Sequence, residues 1–201
     1  MKRFLDVFFS AIAILLLSPV LLAISIVVLI DDGCPVIFKQ DRVGKDGKLF
    51  KIRKFRTMNK GTRNAPTSEL REAEACITHS GRFLRRTSLD ELVQLFNIFE
   101  GTMSFIGPRP LIPEEREIDE LRKKYNVYIV RPGMTGWAQI NGRDSLSDEA
   151  KAKFDMEYVE KHSLLFDLKI LVKTFGTVLK GENIVEGGKE KIEEDNEKLD
   201  G

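Results

Sequence analysis

Asp90 and Glu91 are adjacent carboxylates that follow two arginines, Arg85 and Arg86, and two hydroxyl residues, Thr87 and Ser88, in the stretch LRRTSLDELVQLFN. Ser88 and Glu91 have the Ser-x-x-Glu spacing of a capping box, which predicts a helix starting at Ser88 with Asp90 in its first turn. The free N–H groups of such a start, with Arg85 and Arg86, would attract an anion and keep Asp90 ionised at neutral pH. A carboxylate in that setting suits work on a phosphate, as nucleophile or through a metal ion. The other reading is a plain cap ahead of the apolar face Leu92, Leu95, Phe96 and Phe99.

Cations are supplied from elsewhere in the chain. The formal net charge of the 201 residues is only +1, but the interval from Lys39 to Arg63 holds ten lysines and arginines against Asp41 and Asp46, and the last twenty residues are predominantly acidic. Such a basic block serves nucleic acid, anionic lipid or a phosphorylated substrate. Two short apolar-basic runs, Val36 to Phe38 and Leu49 to Phe55, flank Lys45-Asp46-Gly47 and predict a hairpin with Gly47 at positive φ. Strand alternation then places Phe50, Ile52, Lys54 and Arg56 on one face, projecting two cations together; an edge strand guarded by lysines is the alternative. Residues 59–69 read as a loop and a lid.

Where this block lies is decided by the N-terminus. From Val7 to Ile30 no residue is charged, a run of 24. As a straight helix it would measure about 36 Å, enough for a hydrocarbon core of about 30 Å. The run lacks a small-residue cleavage site and is expected to be retained. Ser18-Pro19 sits near its middle, where proline removes a backbone donor and the serine hydroxyl can pair with the freed carbonyl. Both flanks are basic, which fits a helix broken at Ser18-Pro19 that dips into one leaflet and returns; a kinked span is the alternative. A multi-pass topology is excluded, since no second uncharged run reaches about 18 residues.

The remainder predicts an α+β, mainly helical fold, with domains at 1–33 (membrane helix), 34–180 (one compact domain) and 181–201 (acidic tail). Gly107-Pro108-Arg109-Pro110 is a rigid element around one arginine. Pro113 with Glu114 and Glu115 starts a helix to about Tyr125. Arg131-Pro132-Gly133 and Gly136 to Arg143 are glycine-punctuated, Ser147 caps a helix to about Lys161, and Leu164 to Leu179 forms an apolar-rich helix. Cys34 and Cys76 have no disulfide ladder or metal spacing and are read as structural, with a reducing cytosolic face as the default. There is no phosphate-binding glycine loop of Walker type and no G-x-G-x-x-G. His79 and His162 are isolated, so a zinc site and a Ser-His-Asp triad are disfavoured. Carboxylate and arginine remain for chemistry.

The order of blocks carries a resemblance. Lys54-Phe55-Arg56-Thr57-Met58 comes first, then Leu84-Arg85 with Ser88-Leu89-Asp90-Glu91 and Gln94-Leu95-Phe96-Asn97. Met103 to Pro110 follows, then Arg131-Pro132-Gly133, Thr135-Gly136 and Asn141-Gly142-Arg143. Together they resemble the bacterial sugar transferases, the monotopic phosphoglycosyl transferases, from the membrane segment to about Leu179. Val93 departs from the proline usual in that family after Asp-Glu-Leu.

The resemblance implies transfer of a sugar phosphate from a UDP-sugar to undecaprenyl phosphate, with release of UMP, at the cytoplasmic face of the bacterial inner or cytoplasmic membrane. It implies a re-entrant helix broken at Ser18 and Pro19 and amphipathic helices at the membrane surface. Asp90 is implied as nucleophile in a covalent phosphosugar intermediate, Glu91 as metal ligand or base, and Mg2+ as cofactor shared by Asp90 and Glu91 with the diphosphate. Arg85, Arg109 and Arg143 match family arginines that would grip phosphate, with Lys54, Arg56 and Pro108 beside them. The Ala138 to Arg143 form resembles members acting on N-acetylated amino sugars. Inner-leaflet lipids are the implied surroundings, a homodimer is compatible, and nucleic acid is not a partner. The competing class is a non-catalytic membrane-anchored basic module binding anionic lipid or nucleic acid.

Overall fold

The structure, a computed structural model, describes residues 1–62, 76–142 and 145–180. Most of the 59–69 loop, Arg143 and the 181–201 tail lie outside the described residues. The chain is mainly helical with a small antiparallel hairpin, as expected.

Helix α1, Lys2–Asp32, runs through Ser18 and Pro19 as one element. Proline at position 19 cannot donate to the carbonyl four residues back, that of Leu15, and the Ser18 hydroxyl donates to it instead at 2.8 Å. The expected break is therefore not a break in the helix, and the serine-for-amide substitution accounts for its continuity. Along its length α1 joins the core of the rest of the chain. Ala13, Ile14 and Leu17 pack on Ile52, Leu95, Ile98 and Met103, while Leu21, Ile24 and Val28 cluster with Phe55, Leu84 and Val93. Polar contacts tie down both ends. Arg3 donates to the carbonyls of Ile98 (2.6 Å) and Phe99 (2.7 Å), and buried Asp6 accepts from the Ser104 hydroxyl at 3.1 Å. At the other end Asp31 accepts from the Ser80 N–H (2.8 Å) and hydroxyl (2.6 Å). The opposite face, from Phe4 and Phe8 through Leu15, Leu16 and Leu22 to Ile30, is apolar and exposed.

The hairpin pairs β1, Ile37–Val43, with β2, Leu49–Phe55, from Ile37↔Phe55 to Val43↔Leu49. Gly47 has φ 71°, as its turn position predicts, and Asp46 is also left-handed at 59°. Helices α2 (His79–Arg86) and α3 (Gln94–Glu100) follow, joined by a 3₁₀ turn at Leu89–Glu91. The buried Asn97 side chain bonds the β2 backbone on both sides, accepting from Arg53 N–H at 3.1 Å and donating to Lys51 carbonyl at 2.8 Å. That clamp fixes α3 against the strand carrying Lys54.

A parallel pair absent from the sequence reading joins β3, Ser104–Ile106, to β4, Gly133–Thr135. Its glycines are set by proximity. A Cβ on Gly133 would sit 2.1 Å from the Gly107 nitrogen, and one on Gly136 would sit 2.1 Å from the Gly107 carbonyl oxygen. Helix α4, Arg116–Lys124, begins beyond Pro113 and Glu114, later than expected, because the Glu115 carboxylate turns back to accept from Ile112 N–H at 2.6 Å. The short α5, Trp137–Ile140, leads to α6, Asp148–Lys161, which Ser147 caps through Ala150 N–H as expected. The last helix, α7, spans Leu164–Lys180 and leaves Leu165, Leu168, Val172 and Phe175 exposed along one side.

Candidate active site

The capping-box expectation is corrected. Ser88 is left-handed, at φ 55°, and its side chain caps nothing, because α2 ends at Arg86 and the chain must reverse before α3. Asp90 and Glu91 sit in the 3₁₀ turn rather than in the first turn of an α-helix. Val93 precedes α3 with φ −64°, the value a proline ring imposes, so valine keeps that geometry and packs in the core cluster with α1.

Glu91 accepts an ion-paired hydrogen bond from Lys54 Nζ at 2.6 Å, across from β2. Asp90 is buried, 7% exposed. Burial lifts its pKa to about 6, with the Glu91 charge adding to the rise and Lys54 and Arg85 opposing it. The expected effect of the cations is thus present but outweighed by desolvation. At pH 7 the carboxyl is still mainly ionised. Arg86 is exposed.

Arg85 is aimed by its Nε, which donates to the Thr57 hydroxyl at 2.9 Å. Gly81 makes this approach possible, since a Cβ there would lie 2.3 Å from the Thr57 carbonyl oxygen. Arg56 goes elsewhere. Its buried guanidinium donates to the carbonyls of Asp32 (2.8 Å), Gly33 (2.6 Å) and Pro35, and it pairs with the Asp32 carboxylate at 2.9 Å. Lys54 and Arg56 therefore do not act as one pair, because Arg56 lies past the end of β2 and closes the C-terminus of α1.

Opposite the carboxylates stands the Pro108-Arg109-Pro110 loop. All three of its carbonyls are held: Pro108 by Gly133 N–H (2.9 Å), Arg109 by Arg122 Nη1 (2.7 Å) and Pro110 by Arg42 Nη1 (3.1 Å). Arg122 is itself buried and paired with Asp155 at 2.5 Å. A shallow, solvent-open cleft lies between loop and turn, walled by Arg42, Lys54, Glu91, Gln94, Arg109 and Pro110. Asp90 adjoins it through Glu91 without forming its wall.

Arg42 and Gln94 were not singled out from sequence. Burial and the neighbouring Arg109 charge lower the Arg42 pKa to about 10, still fully protonated at neutral pH. Helical spacing from Asp90 and Glu91 was a usable signal for Gln94; for Arg42, one cation among ten, there was none. Cys34 is exposed and both cysteines are free, so Cys34 is not a buried structural thiol. Among the described residues no cluster of three or more His, Cys, Asp or Glu could hold a metal by itself. Two carboxylates do fit Mg2+, which keeps waters and takes its other oxygens from substrate phosphates.

Residues 1–181 match the sequence profile described as bacterial sugar transferase. The chain is 40% identical over 188 residues to a UDP-glucose:undecaprenyl-phosphate glucose-1-phosphate transferase of Escherichia coli K12, covering 90% of this chain and 40% of that protein. It is 40% identical to the sugar transferase EpsL of Bacillus subtilis, covering 92% of this chain and 90% of EpsL. A UDP-N-acetylgalactosamine-undecaprenyl-phosphate N-acetylgalactosaminephosphotransferase of Aeromonas hydrophila is 37% identical, covering 90% of this chain and 44% of that protein. The chain thus spans about two fifths of the Escherichia and Aeromonas relatives and nine tenths of EpsL. By the extent of the profile match and the level of identity, the chain belongs to the bacterial sugar transferase family.

Proposed function

We propose that this protein transfers a sugar 1-phosphate from a UDP-sugar to undecaprenyl phosphate at the cytoplasmic face of the bacterial cytoplasmic membrane, releasing UMP. The observation that carries the reading is the cleft in which Arg42, Lys54 and Arg109 face Glu91, with the poorly hydrated carboxylate of Asp90 beside it. Three cations around one concavity suit a diphosphate, and the carboxylate supplies a nucleophile. Two relatives bear names that specify this transfer.

In the first step an Asp90 oxygen attacks the β-phosphorus. A new O–P bond forms, the bond from that phosphorus to the bridging oxygen breaks, and UMP leaves with the electron pair. An oxygen of the lipid phosphate then attacks the same phosphorus, the bond to Asp90 breaks, and the carboxylate is restored. A carboxylate already stripped of most water has little hydration to shed when it attacks. Arg109, Arg85 and Lys54 neutralise phosphate charge; Arg143 is assigned the same role on motif grounds, and Pro108 shapes the loop. Arg56 acts by holding the end of α1. Mg2+, held by Asp90 and Glu91 with donor oxygens, would add charge neutralisation.

The proposed membrane placement is supported by α1. Both of its ends are bonded to the same polar domain, so a straight crossing would drag that domain through the bilayer. The exposed apolar faces of α1 and α7 instead suit one leaflet, α1 as one continuous helix with both ends on the same side and α7 as an interfacial helix. Cysteine labels at positions 2 and 45 are expected to react only from the cytoplasmic side. Transfer itself is tested by UMP release across UDP-glucose and UDP-N-acetylated amino sugars with undecaprenyl phosphate; the Ala138 to Arg143 motif favours the amino sugars. No release with any donor would overturn the assignment.

A further inference from the structure

Two buried polar atoms on the cleft wall have no hydrogen-bond partner among the described residues: the Gln94 side-chain amide nitrogen and Arg42 Nε. Gln94 is 2% exposed, so its amide is deprived of water as well as of protein acceptors. A buried donor left unpaired is costly, and such groups are retained where a ligand completes them. Here both are donors, both line the same concavity, and Lys54 and Arg109 stand beside them. Arg42 is also prearranged: one nitrogen donates to the Pro110 carbonyl at 3.1 Å and another to Gln40 Oε1 at 2.7 Å, which locks the plane of the guanidinium.

We infer that Gln94 and Arg42 form the floor of a phosphoryl-oxygen cradle, with the Gln94 amide and Arg42 Nε donating to non-bridging oxygens of a bound phosphate ester. Resting on the transferase reading, this adds Gln94 to the substrate contacts and gives Arg42, already one of the three cations of the cleft, a defined contact through its Nε. The oxygens belong to the nucleoside diphosphate or to the lipid phosphate. Arg42 supplies charge; Gln94 supplies a neutral donor that fits only an acceptor atom, which gives the floor direction as well as attraction.

The two functions of Gln94 predict changes of opposite sign. Gln94→Met preserves length and removes the unpaired amide, so the full-length protein in detergent should melt higher, by about 2–4 °C. The same variant should bind its phosphate ligand about tenfold more weakly. Titration with UDP and, separately, with farnesyl phosphate reads the affinity and identifies the source. Weakening toward UDP places the donor's diphosphate on the floor, and weakening toward farnesyl phosphate places the acceptor there. Arg42→Lys, which keeps the charge but loses the planar fork, should weaken the same ligand. If Gln94→Met fails to fold, Gln94→Glu takes its place and should weaken binding further, because a carboxylate repels the anion.

Unchanged affinity in the Gln94 variants, whatever their melting temperature, overturns the cradle and leaves the transferase reading intact. A wild-type protein that binds neither probe overturns it as well. Tight UDP binding without UMP release in any donor assay overturns the transferase reading and leaves the cradle.

Discussion

The two walls of the cleft are built on opposite terms. On one side the Pro108-Arg109-Pro110 loop is secured at every carbonyl, and glycines at 107 and 133 let the β3 and β4 backbones meet. On the other, the Asp90-Glu91 turn includes a left-handed serine and a buried carboxylate whose pKa is pushed up to about 6. One wall presents charge from a rigid frame; the other stores unfavourable conformation and desolvation at the reactive group. Strain confined to the reacting residues and offset by a rigid surround is how sites reach geometries that stability alone would not select.

The rigid wall should be the costlier one to damage. Arg122→Leu removes the donor to the Arg109 carbonyl and leaves Asp155 buried without its cation, so a loss of about 3–5 kcal/mol is expected by denaturant titration. A loss under about 1 kcal/mol would mean that the loop is held by its prolines alone.

The reactive wall should respond in the opposite sense. Because the folded pKa of Asp90, about 6, exceeds its ordinary 3.8, the contribution of the neutral form is fully present below pH 3.8 and is lost as pH rises through about 6. Asp90→Asn should therefore stabilise the fold at pH 7.5 by about 3 kcal/mol, a gain that vanishes near pH 4, while abolishing turnover. In the wild-type protein, activity should fall on acidification as Asp90 takes up its proton. A destabilised Asp90→Asn at pH 7.5 would remove the contrast between the walls. A smaller test is Ser88→Gly, which relieves the left-handed serine and should raise stability by about 1 kcal/mol.

The parts legible in the sequence were those set by local pattern: the hairpin with Gly47, the Ser147 cap, the apolar run of α1 and the amphipathic α7. Ser18 beside Pro19 was legible too, down to the hydroxyl that replaces the missing donor. Ser88 was misread because capping-box spacing says nothing of where the preceding helix stops, and α2 ends only at Arg86. The pairing of β3 with β4 was illegible because each has three residues, so no period-2 pattern can form. Arg56 and Lys54 share a strand parity, yet one turns to α1 and the other to Glu91, a choice made by tertiary packing. Arg42 acquires meaning only once burial shows that its Nε lacks a partner.

The central claim is that Asp90 is the nucleophile. It is tested by incubating the full-length protein with Mg2+ and a UDP-sugar that it turns over, in the absence of polyprenyl phosphate. About one equivalent of UMP should be released, and the rapidly quenched peptide containing Asp90 should gain the mass of a sugar phosphate. UMP release that strictly requires polyprenyl phosphate, with no added mass on that peptide, would contradict it.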